Sequence, residues 1–337
     1  MTSFRSLRNG DLPQLVAVFR QHHELAGMVP DVSLAQFEQA ILARSFFDPQ
    51  NFLIATLRDS NDNEVIVGWC HFGLNPALSS GLNSLLASSD QAPGGITIAA
   101  ICLAKECQAD VAVELLEEAV RLSRRLDANR SASGTENNGP AAITAGLFRD
   151  DHFGYAGLNP YGHGYGIENL DVRLHGVLQA CGFVANRSLV RVVASTEGYR
   201  PAFSREAMQL RRSATVQHKR ILPDSVRRAS ALSHLDIERH ALVDRSGGVI
   251  GGMDFWFSDA EAQVMPPSKV IVDLDLGAEK TLSASDSYLV SAVVGSLSER
   301  NVRQVEAVVD SSKVDLINQL GRISFTVASE GTLWKLR

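Results

Sequence analysis

Residues 149–168, RDDHFGYAGLNPYGHGYGIE, gather the groups of this chain best able to do chemistry. The segment holds five glycines, two histidines (His152 and His163) and three of the chain's five tyrosines, Tyr155, Tyr161 and Tyr165. A histidine titrates near neutral pH and could take a proton from a substrate. A long irregular segment inside a compact domain is more often functional than not. Each histidine alone reads equally as a surface residue or as one that orients the loop, and Tyr and Gly are common in ordered loops without catalytic duty. His152, His163, Asp150 and Asp151 match no standard metal-ligand spacing, so no metal is expected.

Other candidates lie elsewhere. His71 alternates with Cys70 and Phe72, which lets it face a cleft or pack. Cys102 and Cys107 would need a nearby base and a depressed pKa to act as nucleophiles, and otherwise read as small apolar fillers. Asp273 and Asp275 alternate with Val272 and Leu274, so both share a strand face, where they could bind an amine or meet solvent. The Gly-x-Gly matches in 162–166 lack the strand–loop–helix context of a dinucleotide site.

The element that would position these groups is residues 96–119, ITIAAICLAKECQADVAVELLEEA. An apolar strand over 96–103 runs through a short polar connection into an amphipathic helix over 110–126. Its stripe is Val111, Leu115, Leu116, Ala119 and Leu122. The first turn of a helix has unpaired N–H groups and the positive end of the dipole, which suits a phosphate.

The chain has 337 residues, 45% hydrophobic and 21% charged, which suits a globular protein of two domains. Residues 1–199 carry 14 Lys/Arg against 21 Asp/Glu, and the remainder 18 against 17. An acidic front half argues against nonspecific nucleic-acid binding. No apolar run is long enough to span a membrane, and the N-terminus lacks an apolar signal core. Four scattered cysteines suit a reducing cytoplasm.

In order, the patterns predict a strand at 4–7, helices at 11–20 and from Ser33, and a hairpin 51–57/64–72. A mobile segment follows at 75–95. After the central unit come a linker-like loop at 129–139, a strand at 141–148, a helix at 169–181 and a strand at 188–194. The second half repeats this order: strand 214–221, helix 224–235, hairpin 240–243/249–257, strand 269–276, helix 285–300, strand 304–309, helix 313–320, and strands 324–328 and 332–336.

This order resembles the GNAT acetyltransferase superfamily, and the tandem arrangement is similar to two-domain members such as mycothiol synthase. GDLPQLVAVF, the hairpin FLIATL and EVIVGWCHF, the central strand–helix unit and LHGVLQACGF before the last strand carry the resemblance over residues 1–196. Residues 201–337 share the topology only. The resemblance implies an α/β fold of two GNAT-like domains, 1–197 and 198–337. Each would be a mixed, mostly antiparallel sheet with a central strand splay, flanked by helices. Acetyl-CoA, or another acyl-CoA, would lie across the first splay. Its arm would pair with Ile101, Cys102 and Leu103, and its pyrophosphate would meet Gln108, Ala109, Asp110, Val111 and Ala112.

The family's loop reads Arg/Gln-x-x-Gly-x-Gly/Ala. Here Ala112 keeps the last small residue, Asp110 stands at the glycine and Cys107 at the first position, with Gln108 one place late. Asp110 adds like charge to an anion site, or caps the helix. Residues 277–285 of the second domain have no such motif. The family's acidic Tyr on the last helix is replaced by Leu178, so Tyr161, Tyr155 and His163 are the catalytic candidates. His71, His152, Tyr165, Asp273 and Asp275 would line the acceptor site. The implied function is acyl-CoA-dependent N-acetyl transfer to a small amine in the cytoplasm. The alternative is a GNAT-shaped ligand-binding or scaffold protein without catalysis. Oligomeric state is left open.

Overall fold

The computed structural model describes residues 2–75, 95–132, 141–150, 152–200, 204–223, 225–274, 276 and 281–337. Asp275, residues 76–94 of the expected mobile segment, 133–139 of the linker-like loop and 277–280 lie outside the described residues. By contacts the chain divides into two compact units. One is Met1–Phe148, Gly166–Arg187 and Thr332–Arg337; the other is Arg149–Tyr165 and Ser188–Gly331. This division does not coincide with a cut between 197 and 198. The chain passes from one unit to the other four times.

The first unit contains β1 (Ser3–Ser6), α1 (Leu12–Leu25), α2 (Leu34–Phe37), β2 (Phe52–Arg58), β3 (Glu64–Leu74), β4 (Ile96–Leu103), α3 (Ala109–Ala132), β5 (Ile143–Ala145), β6 (Ile167–Glu168) and α4 (Val172–Ala180). Strands β1 to β4 pair antiparallel in sequence order, and β4 pairs parallel with β5. Every residue of β4 is buried, as its unbroken apolar run requires. On one face, α3 presses Val111, Ala112, Leu115, Leu116 and Ala119 against Ile98, Ile101 and Leu103. Each large side chain buried this way stabilises by about 1.5–3 kcal/mol. On the other face α1 supplies Phe19, which meets Phe37 edge-on at 5.6 Å, and Leu15, whose carbonyl accepts from Trp69 Nε1 at 3.2 Å.

The second unit repeats the plan. It holds most of β7 (Phe183–Ser195), then α5 (Arg205–Ser213), β8 (Ala214–Arg220), α6 (Val226–Ala231), β9 (Leu235–Asp244), β10 (Val249–Ser258), β11 (Lys269–Asp273), α7 (Ala284–Leu297), β12 (Gln304–Asp310), α8 (Val314–Arg322) and the first part of β13 (Thr326–Leu336). Strands β8 to β11 are antiparallel, β11 and β12 are parallel, and β12 continues antiparallel to β7. The end of β13 belongs to the first unit, where Trp334 pairs with Ala145 of β5.

Several elements differ from expectation for local reasons. Strand β5 stops at Ala145 rather than 148, because Gly146 turns away at φ +95. Helix α3 starts one residue before Asp110 and continues to Ala132, past the expected loop start. Strand β11 ends at Asp273, short of the expected 276. The two closing strands are one, β13. Helix α5 is unforeseen because its sequence, REAMQLRRS, is nearly all polar. Ser204 caps it by accepting from Ala207 N at 2.9 Å, and Leu210 packs on the core. Among the described residues no helix is long and apolar enough to cross a membrane.

Candidate active site

Strands β4 and β5 stay paired for three residues only, ending at Ile98 and Ala145. Gly146 N donates to Ile98 O at 3.0 Å and closes that ladder. At the same level β4 is bulged: His71 pairs with Ala100 and Phe72 with Ile98, leaving Ala99 as the extra residue. A bulge bends its strand and raises the local twist, which turns β4 away from β5. From Ala99 to Leu103, β4 has β3 on one side and, among the described residues, no strand on the other. Ile101, Cys102 and Leu103 lie on this stretch. On that side the Leu103 carbonyl accepts from Arg173, and no described strand pairs with the rest of the stretch.

Beyond β4 the backbone turns through Ala104 to Cys107, with Cys107 N donating to Ala104 O at 3.1 Å. Gln108, Ala109 and Asp110 are exposed at the start of α3, whereas Val111 and Ala112 are buried. Asp110 is the second helical residue rather than the cap, and its Oδ1 accepts from Val111 N at 2.8 Å. One first-turn donor is therefore already served by a carboxylate. Arg173 of α4 fills the inner side of the turn. Its Nη2 donates to Ala104 O at 2.7 Å and Cys107 O at 2.8 Å, and its Nη1 to Leu103 O at 3.5 Å. Burial pushes up the Cys107 thiol against the pull of Arg173. Burial, with the Asp171 and Cys70 charges, pushes Cys102 up further. Both thiols are held protonated and read as packing groups.

Behind the splay, His22 Nε2 stands 3.1 Å from Asp171 Oδ2, both buried. Asp171 also caps α4, accepting from Leu174 N at 3.0 Å. Burial favours its neutral acid, but the hydrogen bond and charge of His22 and the Leu174 N–H outweigh that and lower its pKa. A depressed carboxylate stabilises the fold above the unfolded value, about 3.9, and that contribution is lost as pH falls through the folded value. Asp171→Asn keeps a capping side chain but removes the charge. The variant is expected to lose roughly 1–3 kcal/mol near neutral pH, with the difference from wild type shrinking below about pH 4. Urea unfolding across pH measures this, and a pH-independent difference would refute it.

The other expected residues sit in the second unit. Asp150 anchors the 149–165 loop, its carboxylate accepting from His152 N (3.1 Å), Phe153 N (2.8 Å) and Tyr155 N (2.6 Å). Tyr155 and His163 are wholly buried, Tyr165 nearly so, and Tyr161 and His152 are half-buried. Tyr155 packs against Tyr161 at 4.8 Å between centroids, and Arg191 lies 4.9 Å over Tyr165. His163 meets Trp256 edge-on at 4.6 Å, and its backbone N donates to Glu306 Oε1 at 2.9 Å. Asp273 is ion-paired with Arg149, with His163 Nε2 at 3.9 Å and Arg228 at 4.0 Å. Its carboxylate is committed to that pair rather than open to an amine. In the first unit, His71 is buried, stacked on Phe52 at 5.3 Å and edge-on to Phe47 at 5.8 Å.

The sequence reading missed His22, Asp171 and Arg173. His22 fell in a segment read as loop because helix α1 was ended at Arg20. The Asp-x-x before the apolar LHGVL is a capping signal that could have placed Asp171, but nothing local tells where Arg173 reaches.

No family model matches the sequence, and no curated protein matches it. Solved structures do. A tandem GNAT protein from the clavulanic acid biosynthesis pathway superposes with a TM-score of 0.61 at 12% identity, over 99% of this chain and 98% of that one. The chain has a tandem GNAT-type fold. A GCN5-related N-acetyltransferase from Sphaerobacter thermophilus gives a TM-score of 0.61 at 11% identity, covering 99% and 95%. The glucosamine N-acetyltransferase region of a fungal multi-domain beta-N-acetylglucosaminidase gives 0.65 at 12% identity; this chain spans 38% of that protein's length. At these identities the likeness concerns the fold. In GNAT terms, the parallel pairs β4–β5 and β11–β12 are the two splays, bridged by α3 and α7.

Proposed function

We propose that this protein is an acyl-CoA-dependent N-acyltransferase for a small amine, with acetyl-CoA as donor and the first unit as donor site. The observation that supports this reading is the open edge of β4 from Ala99 to Leu103, leading directly to the exposed start of α3. The pantetheine amides would pair with Ile101 to Leu103, and the diphosphate would meet the N–H groups of Gln108 to Asp110. In the reaction the amine nitrogen bonds to the thioester carbonyl carbon, the C–S bond breaks, the amine proton leaves to a base and the thiolate takes a proton. The second unit serves as a structural half.

Thermal unfolding with acetyl-CoA, CoA and ADP tests the donor site. Ligand at about 100 times its Kd adds about 2.7 kcal/mol of stability. Asp110→Asn removes the like charge and is expected to tighten CoA several-fold. No shift at millimolar ligand, in wild type and variant alike, would sink the reading.

A second reading, a GNAT-shaped binding module without catalysis, has its own support. Asp110 already occupies one donor of the loop, and wholly buried Leu178 stands where the resemblance puts the acidic tyrosine. Binding without release of free CoA thiol across a panel of small amines would favour it.

A further inference from the structure

Arg173 belongs to the first turn of α4, two residues after the cap Asp171. Its guanidinium donates to three backbone carbonyls, those of Leu103, Ala104 and Cys107. Among the described residues no carboxylate pairs with it, and nearby Asp171 is taken by His22. A half-buried guanidinium bonded to neutral carbonyls of one turn sets the shape of that turn. In a trans peptide the C=O and the following N–H point in opposite directions. With the Cys107 carbonyl drawn in toward Arg173, the Gln108 N–H faces outward. The Ala104 carbonyl likewise turns the Lys105 N–H outward, where it lies 3.5 Å from Gln21 Oε1.

The turn contains no glycine, so its backbone is not free to fold around an anion unaided. Cys107, which stands at the first position of the family's loop pattern, supplies no charge. Arg173 brings both what shapes the turn and a cation, from an element far along the chain.

We propose that Arg173 is the positioning residue of the donor diphosphate site: it holds the Ala104–Cys107 turn so that the outward Gln108 N–H meets the phosphates. This rests on the acyl-CoA reading above. A lysine keeps the charge but its compact ammonium lacks the planar fork that spans these carbonyls, which separates positioning from charge alone.

The test is calorimetric titration of wild type, Arg173→Lys and Arg173→Ala with CoA and with S-acetylpantetheine, which lacks the diphosphate. Both variants are expected to bind CoA at least tenfold more weakly while acetylpantetheine changes less than twofold. Circular dichroism and melting temperature identify any variant that does not fold, and Arg173→Gln then takes its place. A merely structural role would lower the melting temperature and weaken both ligands alike, which would overturn the proposal. So would CoA binding within twofold of wild type in folded variants; in that case the acyl-CoA reading survives. Absence of CoA binding by the wild type would remove both.

Discussion

Fragments 1–197 and 198–337, made separately, are expected not to fold. The first lacks Thr332–Arg337, which the first unit includes. Trp334 pairs with Ala145 and is buried in the core beside Leu115, Leu178 and Phe183. Removing a buried tryptophan alone costs about 3–5 kcal/mol, against a typical total of about 5–15. The second fragment loses more. Residues Leu189 to Ser195 of β7 pair with β12 over seven positions and bring Val190, Val192 and Ala194 into the core. It also loses the 149–165 loop, whose Ala156 packs with Leu232, Trp256 and Ile271. Far-UV circular dichroism and urea titration of each fragment check this. A cooperative, protected 1–197 fragment would show that the contact-based units are not the folding units.

Gly166→Ala is expected to destabilise by more than about 4 kcal/mol, in the range reserved for severe backbone or packing faults. Gly166 has φ +82, and a Cβ there would lie 2.7 Å from Thr332 O, 2.8 Å from its C and 3.0 Å from its N. Those are backbone atoms of the returning strand, so no side-chain rotation relieves the clash. Gly182 is the control. It has nearly the same φ, +83, but its nearest atom would be Leu336 Cδ1 at 3.9 Å. Gly182→Ala should show only the left-handed backbone penalty, about 1–2 kcal/mol. Denaturant midpoints for both variants settle the matter. Equal losses would mean that the Thr332 approach is not as close as described.

Much of the fold was legible because burial wrote it into local pattern. Strand β4 is an unbroken apolar run bounded by Gly95 and Ala104, and its limits match the expected 96–103. Its helix follows from the spacing of Val111, Leu115, Leu116 and Ala119. Legibility failed where long-range contact decides. The expected closing strands, 324–328 and 332–336, are one strand because both lengths find partners. The 149–165 loop carries its glycines, histidines and tyrosines openly in its sequence, but not what holds it. Its own anchor points, Asp273 and Glu306, lie more than a hundred residues later. Arg173 was invisible for the same reason: its partners are backbone carbonyls, which carry no residue-specific signature. The proposed donor loop rests on the resemblance alone, through Ala112 and the helix stripe.

The return of residues 332–337 to the first unit also bears on how the chain is made. Translation delivers the N-terminal residues first, and most proteins let an early domain close as soon as it has emerged. Here the first unit cannot do so. While the second half is being synthesised, β5 waits with its outer edge unpaired, a template for mistaken strand pairing. Trp334 can reach Ala145 only after residues 332–337 have been made and have left the exit tunnel. Emergence of residues 332–337, rather than of residue 197, is the event that completes the first unit.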